Sequence, residues 1–238
     1  MTDSWAIITT MSRQGALDLK RDKNGQRRGG ARKGAGRPCT HDRPSELHKK
    51  RRAFAATTPI HVVTRIVPRI SNLRRRDLYA CIRAATIAIA GYENARIVHL
   101  SIQRTHLHVI VEAKHKTALA SGMQRFLISA ARRINRAIGT RGCVFRDRYH
   151  ATVLASPRQV RACVSYVLNN WRRHGEDRTH RWIVDPFSSA RVFDGWKERH
   201  AYSPPQQQVA LIVWFPKTWL LSKAWRKHGL IGAYEVPS

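Results

Sequence analysis

Acidic residues are scarce. The 238-residue chain carries 15 Asp and Glu against 44 Lys and Arg, a formal net charge of +29. Such an excess repels itself unless a polyanion neutralises it, so a phosphate-bearing partner is expected, with nucleic acid ahead of an anionic membrane surface. Long apolar runs are missing too. No stretch approaches the roughly 18 residues that a membrane span requires, and no lipidation motif is evident. The N-terminus has no apolar segment followed by a cleavage site, so a secretory leader is not expected. Cysteine is thin. Cys39, Cys81, Cys143 and Cys163 lie far apart without a C-x-x-C pair. A zinc knuckle or disulfide framework therefore has little support, and reduced thiols are expected.

What is present suffices for a core: 42% of residues are hydrophobic, in the range of a globular domain. Residues 1–58 read as a basic arm. Arg21 to Pro38 is rich in Gly, Arg and Lys with almost nothing to bury, so it cannot offset its ordering entropy and is expected to be mobile when free. Within it, Gly36-Arg37-Pro38 resembles an arginine hook for a narrow minor groove, although a solvated tail with generic phosphate affinity suits it better. Residues 59–175 carry the periodic signals. IHVVTRIV (60–67) alternates as a strand, and 73–93 places Leu73, Leu78, Cys81, Ile82, Ala85 and Ile89 at helical spacing. Strands follow over 95–103 and 106–113, separated by Arg104-Thr105 as a tight hairpin. A long helix over 115–139 ends at glycine, with Met123, Phe126, Leu127, Ala130, Ile134 and Ile138 as its inner stripe. A strand over 143–155, irregular at its start, leads to a helix capped by Ser156 with Pro157 at its first turn and Gly175 as its stop. The order β-α-β-β-α-β-α predicts an α+β, ferredoxin-like sheet covered on one side by helices. Residues 176–238 form an extension expected to pack on the domain, with a short helix within 215–231 and Trp214, Trp219 and Trp225 buried beneath it.

The stretch THLHVIVE (105–112) raises the functional question. On a strand, residues two apart share a face, so His106 and His108 project side by side while Leu107 and Val109 point into the helices. Two adjacent imidazoles can grip one divalent cation, and they also suit a polar sheet face with no ligand at all. In the last helix, Tyr166 and Asn170 are four apart and share a face. A phenol can attack, an amide oxygen can complete a metal shell, and a lone tyrosine there also suits half-buried packing.

Taken in order, these parts resemble the single-tyrosine HUH transposases, especially the REP-associated tyrosine transposases of the insertion-sequence-200-like group. The resemblance spans Val62 to His174, about half the chain. His106-Leu107-His108 stands for the two histidines flanking a hydrophobic residue. Phe145-Arg146-Asp147-Arg148-Tyr149 stands for the aromatic segment that precedes the tyrosine helix, with Phe-Arg where the family has Trp-Gln. Tyr166-Val167-Leu168-Asn169-Asn170 stands for the tyrosine motif, and its Asn-Asn leaves the choice between Asn169 and Asn170 open. Helical geometry favours Asn170, because Asn169 lies about 300° round from Tyr166. The resemblance implies Tyr166 as nucleophile, and Mg²⁺ or Mn²⁺ on His106, His108 and Asn170. It further implies transposition through a 5′-phosphotyrosine on single-stranded or hairpin DNA, in a monomer or homodimer at the bacterial nucleoid. Tyr149 is the competing nucleophile, in a strand-like segment with no ligand one turn away. Arg74, Arg75, Arg76, Arg104, Arg132, Arg133, Arg146, Arg148, Arg172 and Arg173 are expected to hold phosphates, and Tyr149, Trp171 and Trp182 to stack on unpaired bases. The rival from the same fold is a catalytically inactive, domesticated DNA-binding protein. A 2H phosphoesterase would need a second H-x-[ST] motif, which is not evident. A basic architectural protein would need no ordered histidine-to-tyrosine set.

Overall fold

The computed structural model describes residues 53–178, 182–198 and 210–237. The basic arm, with Arg37 and Cys39, lies almost wholly outside them. Strand β1 (Ile60–Arg65), helix α1 (Arg76–Ala90), β2 (Ala95–Ile102), β3 (His106–Ala113), α2 (Lys116–Ala137), β4 (His150–Val153) and α3 (Pro157–Arg173) follow the expected order. The sheet has strand order β2-β3-β1-β4 with every pair antiparallel, which is the ferredoxin-like arrangement. Alternation divides the strands. Ile60, Val62, Leu107, Val109 and Val111 pack on Leu78, Ile82 and Ile89 of α1 and Phe126 and Ile134 of α2.

The other face differs from the one-sided cover that the element order suggests. Ile110 and Val98 pack there against Val160, Val164, Val167 and Leu168 of α3 and against Leu221 and Trp225. The first face is already filled by α1 and α2, so the apolar stripe of α3 is buried on the second. That places α3 over the side that carries His106 and His108. Strand β4 is also shorter than expected. Val67 N donates to Val144 O and Arg146 N to Arg65 O, so the segment before β4 meets the end of β1 in a single antiparallel bridge, Ile66 to Phe145, shifted in register from the β4 ladder.

The C-terminal residues run along the edge strand β2. Ser188 bridges Ser101, Leu100 N donates to Ser189 Oγ, and Trp214 N donates to Ile97 O. These bonds occupy backbone groups that an open edge would present to another chain. Helix α4 (Trp219–Ser222) and a 3₁₀ turn at Ala224–His228 then pack on α3. Trp225 is buried, but Trp214 and Trp219 are 43% and 63% exposed, so only one of the three tryptophans is core.

Two arginines expected on DNA are structural ties instead. Arg74 makes two bonds to the buried carboxylate of Asp185, at 2.9 and 3.0 Å, donates to Ile102 O and stacks on Phe187. Arg172 donates to Ala233 O, Ile183 O and Asp177. Both guanidinium groups are satisfied by oxygens of this chain and are turned away from solvent. Trp171 is likewise fully buried and is no base platform. Removing one partner of a buried ion pair strands the other charge. Arg74→Ala is therefore expected to lower unfolding free energy by about 3–5 kcal/mol, whereas Arg75→Ala, from a half-exposed pair with Asp77, costs about 0–1 kcal/mol. Urea unfolding of the two variants checks the contrast.

Candidate active site

The register of β1 against β3 sets Val63 opposite His108 and Arg65 opposite His106; against β4 it sets Val63 opposite His150. Cross-strand partners share a face. His61, Arg65, His106, His108 and His150 therefore project together beneath α3, around a cavity of about 940 Å³. Tyr166, Arg173 and His174 enter it from α3 and its end, and Glu235, Val236 and Pro237 wall it from the C-terminal segment.

Nε2 of His106 and Nε2 of His108 face each other at 2.9 Å. Two nitrogens on one octahedral ion, each at ~2.1 Å and about 90° apart, stand ~3 Å from one another. Burial, with further unfavourable charge from His174 and Arg65, pushes the His106 imidazole down to about 4. Burial beside His106, His61 and His174 pushes His108 down to about 2. Both rings are thus neutral near pH 7, the form in which imidazole binds metals. Among the described residues, no three His, Cys, Asp or Glu side chains converge on a point that could hold an ion.

Asn170 carries an amide oxygen. It is fully buried, and neither its Oδ1 nor its Nδ2 has a hydrogen-bond partner. A buried amide left unpaired costs free energy unless something else uses it. It does not line the cavity, but it sits one helical turn from Tyr166 and one from His174. Those two rings abut His108 and His106, at 5.1 and 5.9 Å between centroids. Asn169 donates to Gly232 O through Nδ2, but its Oδ1 is buried and unpartnered like that of Asn170, so hydrogen bonding does not choose between the two amides. The two neutral imidazoles suit a hard divalent cation, and helix α3 carries buried, unpartnered amide oxygens one turn from the residues that touch them.

The Tyr166 ring meets His108 edge-on, and the Arg173 guanidinium lies 5.9 Å from its centre. Tyr149 is placed otherwise. It precedes His150 on β4, so alternation turns it to the opposite face, where it packs against the α1/α2 core. That removes it from the histidines, as nucleophile and as stacking platform there. Cys163 also lines the cavity, but burial pushes its thiol up to about 12 and leaves it inert near neutrality.

The remaining arginines divide by place. Arg104 is exposed on the β2–β3 hairpin, 3.8 Å from Glu176; Arg146 is exposed beside Asp147, and Arg148 is exposed. Arg75 and Arg76 open α1. Arg132 and Arg133 are remote from the histidines: with Arg125 and Arg136 they line a separate groove along α2. Sequence reading missed His61, His150 and His174. His61 alternates with Ile60 and Val62 on β1, which marks a polar face, and His174 lies two turns beyond Tyr166. Neither signal shows which strand or ring stands opposite.

Residues 55–170 match the family of IS200-like transposases. Among solved structures, the chain is similar to a REP-associated tyrosine transposase bound to a REP hairpin, with a TM-score of 0.49 and 16% identity over 72% of this chain and 100% of that one. It is also similar to a protein from Deinococcus radiodurans R1 described as a transposase, with a TM-score of 0.34 and 15% identity over 55% and 97% of the two chains. No curated protein matches.

The C-terminal wall is held by charge. Glu235 accepts from both terminal nitrogens of Arg161, at 2.7 and 2.9 Å, from Ser165 Oγ and from Gly232 N. The Arg161 hydrogen bonds hold its carboxyl below the ordinary carboxylate range. A carboxyl depressed on folding stabilises above its unfolded pKa, and that contribution is lost as pH falls through the folded value. The stability gap between wild type and Glu235→Gln is expected to be constant above about pH 5.5 and to close on acidification below about 4.3. Urea midpoints taken from pH 7 to 3.5 measure it.

Proposed function

We propose, from the premise that the domain over residues 55–170 belongs to the IS200-like transposase family, that this chain cuts and rejoins single-stranded DNA through Tyr166. The observation that carries the reading is the convergence of two neutral imidazole nitrogens 2.9 Å apart with a phenol ring 5.1 Å from one of them. His106, His108 and the Asn170 amide would hold Mg²⁺ or Mn²⁺, which when bound supplies positive charge to a non-bridging phosphate oxygen and the departing 3′-oxygen.

The chain's own groups do the rest. Tyr166 Oη attacks phosphorus, the bond to the 3′-oxygen breaks, and the DNA is left as a 5′-phosphotyrosine and a free 3′-hydroxyl. The phenol proton has imidazole acceptors in the same cavity, among them His150 and His174. Arg173 beside the phenol, and Arg65 opposite His106, offset the negative charge of the incoming phosphodiester. Because the phosphotyrosine keeps the phosphoester bond, a second 3′-hydroxyl can attack it and release the tyrosine without an external energy source. That property suits strand transfer better than hydrolysis.

Hairpin DNA is the proposed substrate. The exposed Arg104, Arg146 and Arg148 border the catalytic face, and the α2 groove offers four arginines for duplex phosphates on the other. The net charge of +29 supports a polyanionic partner of this size.

With labelled hairpin DNA carrying a single-stranded flank, Mn²⁺ is expected to give a protein–DNA adduct that survives SDS. Tyr166→Phe abolishes it, and chelation by EDTA prevents it. His106→Ala and Asn170→Ala each reduce its rate by about 10²-fold or more, the scale of losing a group that stabilises transition-state charge. Adduct formation by Tyr166→Phe overturns the nucleophile. For the groove, Arg132→Ala/Arg133→Ala is expected to weaken hairpin binding and to reduce the salt slope by about 2. Filter binding across 50–200 mM salt reads both.

A further inference from the structure

The third histidine on the sheet is not placed as a ligand, yet it touches one. His61 Nε2 lies 3.1 Å from His108 Nδ1, with the rings stacked at 5.3 Å and 21°. We propose that His61 is a positioning residue that accepts the Nδ1 hydrogen of His108 and so keeps Nε2 of His108 bare for the cation. The inference rests on the reading of His106 and His108 as ligands.

A neutral imidazole has one donor and one acceptor nitrogen. Nε2 of His108 faces Nε2 of His106, so that nitrogen must be the acceptor if the pair is to share an ion. Nδ1 must then carry the hydrogen. His108 is only 3% exposed, so solvent has little access to satisfy that donor. Metal-bound imidazoles commonly give this second N–H to a carboxylate, a carbonyl or a water. The atom that meets Nδ1 here is the ring nitrogen of another histidine. To accept, His61 must itself be neutral and hold its own hydrogen on Nδ1.

Sheet register brings the two side chains together on one face. His61 stands on the central strand β1, paired with Ile110 on β3 and Thr152 on β4. The same geometry argues that His61 is no ligand, since its Nε2 is committed to the side of the His108 ring that faces away from His106. The tyrosine benefits as well. Tyr166 meets His61 edge-on at 6.2 Å and His108 at 5.1 Å, so a fixed His108 plane also fixes the phenol's floor.

The test uses the full chain and Mn²⁺ alone, without DNA. Isothermal titration is expected to show His61→Ala binding Mn²⁺ 10–100-fold more weakly than wild type, the usual cost of losing a partner behind a ligand. His61→Gln, whose amide oxygen can accept from Nδ1, is expected to recover most of that loss. Imidazole ¹⁵N shifts of the metal-free protein are expected to report His108 as the Nδ1–H tautomer in wild type and as a mixture in His61→Ala. Mn²⁺ affinity within twofold of wild type in both His61 variants overturns the inference, as does a wild-type His108 carrying its hydrogen on Nε2. If His61→Ala unfolds, His61→Gln decides: affinity as weak as in a ligand knockout refutes an acceptor role, and near-native affinity supports it. If instead His106→Ala binds Mn²⁺ as wild type does, the ligand assignment falls and carries this inference with it. That result is separable, because it does not involve His61.

Discussion

Arg65 stands opposite His106 and Val63 opposite His108 across β1 and β3, and the whole cavity depends on that register. A slip of one residue would turn the two imidazoles into the α1/α2 core and expose Leu107 and Val109 in their place. The apolar residues prevent it. Leu107, Val109 and Val111 on β3, with Ile60 and Val62 on β1, are buried on the far face, and moving them to the cavity would cost the transfer energy of several large side chains at once. The packing of one face therefore aims the chemistry of the other. The histidines need no special loop to hold them, because the core positions them as a by-product of its own burial.

Helix α3 completes the arrangement under two constraints that act at its two ends. Ser156 caps its start through Gln159 N, and Arg172 ties its last turn to Asp177, Ile183 O and Ala233 O. Between them, Val160, Val164, Val167 and Leu168 lie down on the sheet. Tyr166 sits at the margin of that stripe, which makes it half-buried and leaves its ring against His108. Asn170 lies deeper, with both polar side-chain atoms unpaired, the state of a group held ready for something outside the apolar core. A helix pinned at both ends and along one side has little freedom to withdraw its phenol from the histidines.

Much of this was legible in the sequence because it rests on short-range periodicity. The alternation around His106 and His108 and the four-residue step from Tyr166 to Asn170 need no knowledge of distant contacts. What failed to be legible depends on distant partners. Arg74 reads as one of three consecutive basic residues, and nothing nearby says that Asp185, 111 positions later, will claim it. Arg172 is hidden in the same way by carbonyls of the C-terminal segment. Tyr149 was ambiguous because the pairing with β1 shifts register between Phe145 and His150, so its face could not be counted along the segment. His61 needed the strand order: only when β1 is known to lie between β3 and β4 does its ring fall beside His108.

The uneven charge has a structural counterpart. With only 15 acidic residues, the chain spends several of them on internal ties. Asp185 holds Arg74, Asp177 holds Arg172 and Glu235 holds Arg161. Glu112 accepts from the backbone of Lys217 and Thr218, fastening the segment that follows the β2 edge. Carboxylates placed there secure the C-terminal segment and leave the α2 groove lined by four arginines and no acid. Arg104, Arg148, Arg132 and Arg133 thus keep their charge where solvent can reach it. The scarcity of acid is therefore a division of labour: carboxylates hold the fold together, and the surplus arginine faces outward.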